Sequence, residues 1–301
     1  MNLFYSDVFV LPLPSHHRFP MGKYQRLRER LLAGGDFAMD DFGVPAPASD
    51  AEITRVHCPA YLEKVATGGL SAAEQKAIGF PWSERMVERS RRSSGATLAA
   101  AREALTRGWA ANLAGGTHHA FRDRGEGFCV FNDAAIASRA LQAEAGLQRI
   151  AVIDCDVHQG NGTASIFAGD DSVFTFSIHG ARNFPFAKET SDLDVELADG
   201  TGDDEYLWHL ERALDDVLER SRPQLAIYLA GADPYEGDRL GRLKLTKQGL
   251  ARRDEMVLGT LAARAIPVAI AMAGGYAHDI EDSVDIHANT IRTARRIWEH
   301  A

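Results

Sequence analysis

The sequence predicts an α/β protein built around a parallel sheet. Short apolar runs rich in β-branched and aromatic residues recur along the chain, and stretches with helical apolar spacing lie between them. The runs also end in polar or glycine-rich turns, the side on which open parallel sheets bind ligands.

Taken in order, residues 35–50 (GDFAMDDFGVPAPASD) have no period and read as a surface loop. Helical patterns lie near 85–113, 133–146, 204–221 and 246–264. In the third, Leu207, Leu210, Leu214, Val217 and Leu218 repeat at helical spacing. Buried strands are predicted at 149–153 (RIAVI), 173–178 (VFTFSI), 225–229 (LAIYL) and 267–272 (PVAIAM), whose lengths and composition suit parallel strands. No repeat or later linker interrupts the pattern, so residues 1–301 read as one domain.

Composition excludes several classes. The chain has 301 residues, 45% hydrophobic and 25% charged, which is ordinary for a globular protein. Its 42 acidic and 33 basic side chains give a net charge of -9, which argues against nucleic acid, since a polyanion needs a basic face. The three cysteines, Cys58, Cys129 and Cys155, are widely spaced without a CxxC pair and suggest reduced thiols in a cytoplasmic compartment. The N-terminus lacks a signal-peptide pattern, and no apolar run approaches the roughly 18 residues of a membrane span.

Chemistry concentrates at the predicted strand ends. In IDCDVHQGNGT (153–163), alternation puts Asp154, Asp156 and His158 on one face. Two carboxylates and an imidazole together are costly unless a cation sits among them. With Asp233, just past another strand, Asp156 and His158 make a three-ligand set with an open position, the arrangement of a catalytic zinc. The plainer reading is a solvated loop with capping aspartates. In GGTHHAFRDRGEGFCVFND (115–133), His118 and His119 are candidates for acid–base work, or a surface pair. Phe128 is a candidate wall residue, and Phe131 reads as core. In AGGY (273–276), Tyr276 could stabilise an oxyanion or simply pack. Ser177 and His179 could support the site, and His16 and His17 read as surface or substrate-loop residues.

These motifs resemble the histone deacetylase and acetylpolyamine amidohydrolase superfamily. GGTHHAF, GFCVFND, IDCDVHQGNGT, FSIH, SDLDVELADGTGDDEYL, LAGADPYEGDRLG and AGGY occur in the family's order, and HHRFPMGKYQRLRERL is similar to the opening of its bacterial, class IV-like branch. The resemblance implies the arginase-like fold, a three-layer α/β/α sandwich around a mostly parallel sheet. It implies zinc, with ferrous iron as the alternative, on Asp156, His158 and Asp233. It makes His119 the general base and later acid, His118 the neighbouring imidazole paired with Asp154, Asn161 the partner of the base, and Tyr276 the carbonyl-polarising hydroxyl. Gly127, Phe128, Phe184, Phe186 and Gly275 would line an acyl-lysine tunnel. A structural potassium ion would sit with Asp154, Ser177 and the backbone carbonyls of Asp156, His158 and Ile178.

The implied activity is removal of an acetyl or other acyl group from a lysine-type amine of a protein or peptide. The same site could serve an acetylpolyamine or another small amide, or survive in a non-catalytic acyl-lysine-binding protein. A binuclear ureohydrolase would need more carboxylates than the motifs supply. The oligomeric state stays open. Two departures stand out. Asn161 occupies a position where one branch has an aspartate, and an amide would leave His119 neutral near pH 7. The acidic residue that some members use to hold the substrate backbone would fall near Gly79. The acidic excess is local: residues 189–216 carry eleven Asp and Glu against one Arg, a surface that could attract a cationic substrate.

Overall fold

The computed structural model describes residues 2–14 and 17–299. Among the described residues, eight strands form one sheet: β1 (Leu3–Phe4), β2 (Phe42–Gly43), β3 (Trp109–Asn112), β4 (Ile150–Asp154), β5 (Val173–Gly180), β6 (Leu193–Leu197), β7 (Leu225–Leu229) and β8 (Val268–Ala271). Their order is β2-β1-β3-β8-β7-β4-β5-β6, and every neighbouring pair is parallel. The helices are α1 (Lys23–Ala33), α2 (Asp50–Ile53), α3 (Pro59–Thr67), α4 (Ala72–Ile78), α5 (Glu84–Arg107), α6 (Asp133–Ala145), α7 (Asn161–Phe167), α8 (Asp203–Ser221), α9 (Lys247–Ala263) and α10 (Ile280–Glu299). One set packs through α5 and α6, the other runs α8–α9–α10–α1, and together they cover the sheet. The fold is the expected arginase-like α/β architecture.

Every residue of β3, β4, β7 and β8 is buried, and burial on both faces is why β4, β7 and β8 read as apolar runs. The chain passes from β3 over two vacant places to β4, builds outward to β6, and returns to fill the gap with β7 and β8. The four central strands therefore end side by side where the winding reverses, which is where open α/β sheets bind ligands.

Three sequence expectations need correction. The helical pattern 85–113 stops at Arg107; Gly108, with φ of 82°, breaks the helix and 109–112 form β3. The predicted loop 35–50 contributes the edge strand β2, whose two residues are too few to show alternation. The acidic stretch 189–216 runs along edge strand β6 and into α8, and none of it lines the central cavity. Among the described residues, no helix is long and apolar enough to cross a membrane.

Candidate active site

Four loops, one after each central strand, converge on a cavity of about 530 Å³. The loop after β3 is shaped by Gly115 and Gly116, at φ of 79° and 73°, which turn the chain where a β-carbon would strike Asn112, Asp133 or Ala273. Asp133 fastens it by accepting from the Gly116 and Thr117 N–H groups at 2.9 and 2.7 Å. The result buries both His118 and His119, with ring centroids 4.1 Å apart.

The two imidazoles have different partners. His118 donates from Nδ1 to Asp154 Oδ2 at 2.6 Å, while His119 donates from Nδ1 to Asn161 Oδ1 at 2.7 Å. Burial opposes charge on both rings. For His118, Asp154 and Asp156 outweigh burial and hold its pKa up at about 9. For His119, burial is joined by repulsion from His118 and His158, and the ring is held neutral, well below the usual histidine range.

Asp156, His158 and Asp233 place one ligand atom each within 4.8 Å of one another. His158 Nδ1 is 2.9 Å from Asp156 Oδ1 and 3.3 Å from Asp233 Oδ2. Ligand atoms of a tetrahedral zinc stand roughly 3.3 Å apart, so the trio is already near that spacing. Backbone donors orient the carboxylates: Gly274 N–H reaches Asp156 Oδ2 at 2.7 Å and Val157 N–H reaches Asp233 Oδ1 at 2.9 Å. Asp233 Oδ2 is buried without a hydrogen bond, and burial with repulsion from Asp156 raises this carboxyl to about 7. An orphaned buried oxygen facing an imidazole nitrogen and a second carboxylate fits a dication. The ligands share one face because β4 and β7 are direct neighbours, with Asp154 opposite Leu229.

Tyr276 closes the site, buried at 7% exposure with its ring centroid 6.5 Å from that of His158. Its backbone N–H donates to Asp238 Oδ2 at 2.6 Å, and its carbonyl accepts from Arg239 Nε at 2.9 Å. Phe128 and Phe184 form the walls; Phe184 meets His119 edge-on at 4.9 Å. Phe186 stands at the mouth, 84% exposed. Gly127 also lines the cavity. Gly275 sits on the same loop as Tyr276, where a β-carbon would meet Ala232, His287 and Ser283.

Ser177 bonds His179 Nδ1 at 2.9 Å, and both are buried beside Asp154, in the register Asp154 opposite Ser177. Ile178 is buried on the same strand. Gly79 has φ of 82°, and a β-carbon there would lie 2.9 Å from the Phe128 ring, so no acidic side chain fits unless Phe128 moves. Its carbonyl meets His17 Nε2 at 2.8 Å, which puts His17 in the wall behind Phe128. His16 lies outside the described residues. The charged side chains at the mouth are Arg18, Arg182 and Arg242, with Glu126 further in.

Lys23, which sequence reasoning missed, is 1% exposed and donates from Nζ to the carbonyls of Ala273 and Gly275 at 3.0 and 3.4 Å. Burial lowers its pKa to about 8, against the pull of Asp233, Asp156 and Asp238. It braces the loop that presents Tyr276. At the start of a helix that also carries Arg26, Arg28, Glu29 and Arg30, Lys23 reads in the sequence as one more solvated charge.

The family model for the histone deacetylase domain matches residues 17–291. The chain belongs to the histone deacetylase family. It is therefore a hydrolase acting on amide bonds, and its metal-like trio sits in a generally metal-dependent family. A protein of Picosynechococcus described only as uncharacterized is 45% identical over 98% of each chain. Histone deacetylase 2 of Arabidopsis thaliana is 31% identical over 95% of this chain and 78% of its own. The crystal structure of a histone deacetylase homologue from Aquifex aeolicus superposes with a TM-score of 0.82 at 23% identity, covering 97% of this chain and 83% of that one. That last likeness is one of fold.

Proposed function

We propose that this histone deacetylase family member is a single catalytic domain that hydrolyses the acyl amide of a lysine-type amine. The reading rests on one observation above all: His119, a buried imidazole bonded through Nδ1 to an amide oxygen, shares a cavity with a three-ligand metal trio and the buried Tyr276 side chain. Asp156, His158 and Asp233 would hold zinc, with ferrous iron as the alternative. When bound, such an ion polarises a carbonyl and lowers the pKa of a water molecule. His119 Nε2 takes the proton from the attacking water, because Nδ1 already carries hydrogen for Asn161. Tyr276 donates its hydroxyl hydrogen to the oxygen on which negative charge develops. His118, charged and tied to Asp154, offsets that charge without leaving its partner. His119 then returns the proton to the departing amine nitrogen. Phe128 and Phe184 exclude water from the alkyl chain of the substrate. Asp154, Ser177 and the carbonyls of Asp156, His158 and Ile178 would hold a structural potassium ion.

Three arginines at the mouth make a polyamine the poorer fit and an acyl-lysine in a neutral or acidic setting the better one. The deciding experiment is turnover by metal-quantified protein on a panel of acyl-lysine peptides and acetylpolyamines. Release of free lysine-type amine supports the reading. Full metal occupancy without turnover of any member overturns it and leaves a binding role.

A further inference from the structure

We propose that Glu126 is a positioning residue that fixes which nitrogen of His119 carries hydrogen, acting through Asn161. This rests on the reading of His119 as the base. The chain of contacts is short and directional. Glu126 Oε1 accepts from Asn161 Nδ2 at 2.6 Å, and Asn161 Oδ1 accepts from His119 Nδ1 at 2.7 Å.

An amide side chain can present either end. A carboxylate can only accept, so it selects the orientation with Nδ2 toward Glu126. The flipped amide would set two oxygens face to face with no hydrogen between them. The selected orientation turns Oδ1 to His119, and Oδ1 in turn accepts only, so the imidazole hydrogen must be on Nδ1. Nε2 is left with its lone pair toward the cavity, the form a base needs. Without Glu126 the amide is free to flip, Nδ2 donates to Nδ1, and the hydrogen moves to Nε2, where it blocks proton uptake. An aspartate at 161 would accept with either oxygen and need no such selection. The glutamate and the asparagine are therefore one device: it fixes the tautomer while keeping the negative charge one residue away from a ring that stays neutral.

The supporting frame is rigid. Asn161 opens α7 and is 2% exposed. The Glu126 turn is pinned by Gly127 N–H on the Ala77 carbonyl at 3.0 Å, Phe128 N–H on that of Ile78 at 2.7 Å, and Cys129 N–H on that of Glu126 at 2.9 Å. A β-carbon on Gly125 would lie 2.6 Å from the Tyr61 hydroxyl, so the turn packs closely against α3.

The test combines kinetics with a direct reading of the tautomer. Glu126→Ala should lower kcat about 10- to 100-fold, the usual cost of losing an outer partner, with KM and metal content little changed. Glu126→Gln, whose carbonyl can still accept from Nδ2, should recover most of the rate. In an Asn161→Asp background, Glu126→Ala should cost nothing, because the amide that needed orienting is gone. Long-range ¹H–¹⁵N spectra of the holoenzyme should show the Nδ1–H tautomer of His119 in the wild type and a mixture in Glu126→Ala. This reading holds whether or not a substrate is known, so it separates failure of this proposal from failure of the hydrolase reading. An unchanged tautomer, or an equal loss of rate in both backgrounds, overturns the proposal.

Discussion

His119 Nδ1 lies 2.7 Å from an amide oxygen of Asn161, whereas His118 Nδ1 lies 2.6 Å from a carboxylate oxygen of Asp154. Adjacent residues thus hold opposite protonation states, the first held neutral and the second charged. Moving a carboxylate next to His119 should undo the asymmetry. The double variant Asn161→Asp with Glu126→Gln puts one there without a second acid in contact. A neighbouring negative charge favours imidazolium, so the base is lost at higher pH. The acid limb of the kcat/KM profile should rise by about 1 to 3 pH units relative to wild type. An unmoved limb would show that His119 does not set it.

Tyr276→Phe removes a hydroxyl whose backbone is fixed by Asp238 and Arg239 and whose loop is braced by Lys23. The ring should stay in place and kcat should fall about 10²- to 10³-fold, the cost of one oxyanion donor. Near-normal turnover at unchanged metal content would take the hydroxyl out of the reaction.

Gly274 passes so close to the metal trio that a β-carbon would overlap Asp233 Oδ2 and lie 2.6 Å from Asp156 Oδ2. Gly274→Ala should therefore displace both carboxylates and lose bound metal, read by elemental analysis. Its melting temperature should no longer rise when zinc is added, although the wild type, whose trio an ion relieves of repulsion, should gain. Metal retention at wild-type stoichiometry would contradict the assignment of these ligands.

The sequence exposed this site because four buried strands end in short loops dense with unusual residues. DCDVH and THH carry their chemistry within five residues, where strand alternation and a glycine turn decide direction locally. Lys23, Glu126 and Asp238 were not legible as partners: each acts across the fold, on Ala273, Asn161 and Tyr276 respectively. Their separations in sequence depend on strand order, which a single chain does not display. The short strands β1 and β2 were missed for another reason, because two residues cannot establish a period.

The cavity mouth gives a prediction opposite in sign to the net charge of -9. Arg182 and Arg242 share one oxygen of Asp199, at 2.6 and 3.2 Å. Among the described residues, the Arg18 guanidinium has no hydrogen-bond or ion-pair partner. The rim is therefore cationic while the acidic excess lies on β6 and α8. Acyl-lysine peptides with acidic flanks should show higher kcat/KM than the same peptides with lysine flanks, and added salt should shrink the gap. Arg182→Gln with Arg242→Gln should narrow it as well. A preference for lysine flanks would mean that substrate enters along a different face.

His57 ties folding stability to pH. It is fully buried between Tyr61 and Phe131, and its Nε2 accepts from the Asn132 N–H at 2.9 Å, at the residue that caps α6. Burial lowers its pKa from 6.5 to about 4. The folded state therefore stays neutral where the unfolded chain takes up a proton. Stability from this residue is complete above the unfolded pKa and drains away as pH falls toward the folded value. Between about pH 7.5 and pH 5 the loss should be about 2 kcal/mol, and it should level off near the folded pKa. His57→Gln keeps an acceptor for Asn132 but has nothing to titrate. Urea unfolding at the two pH values should show a pH dependence about 2 kcal/mol smaller in that variant than in the wild type. The other buried neutral histidines, His119, His179 and His287, remain in both proteins, so their share cancels in the comparison. Equal pH dependence in variant and wild type would show that His57 does not carry this linkage.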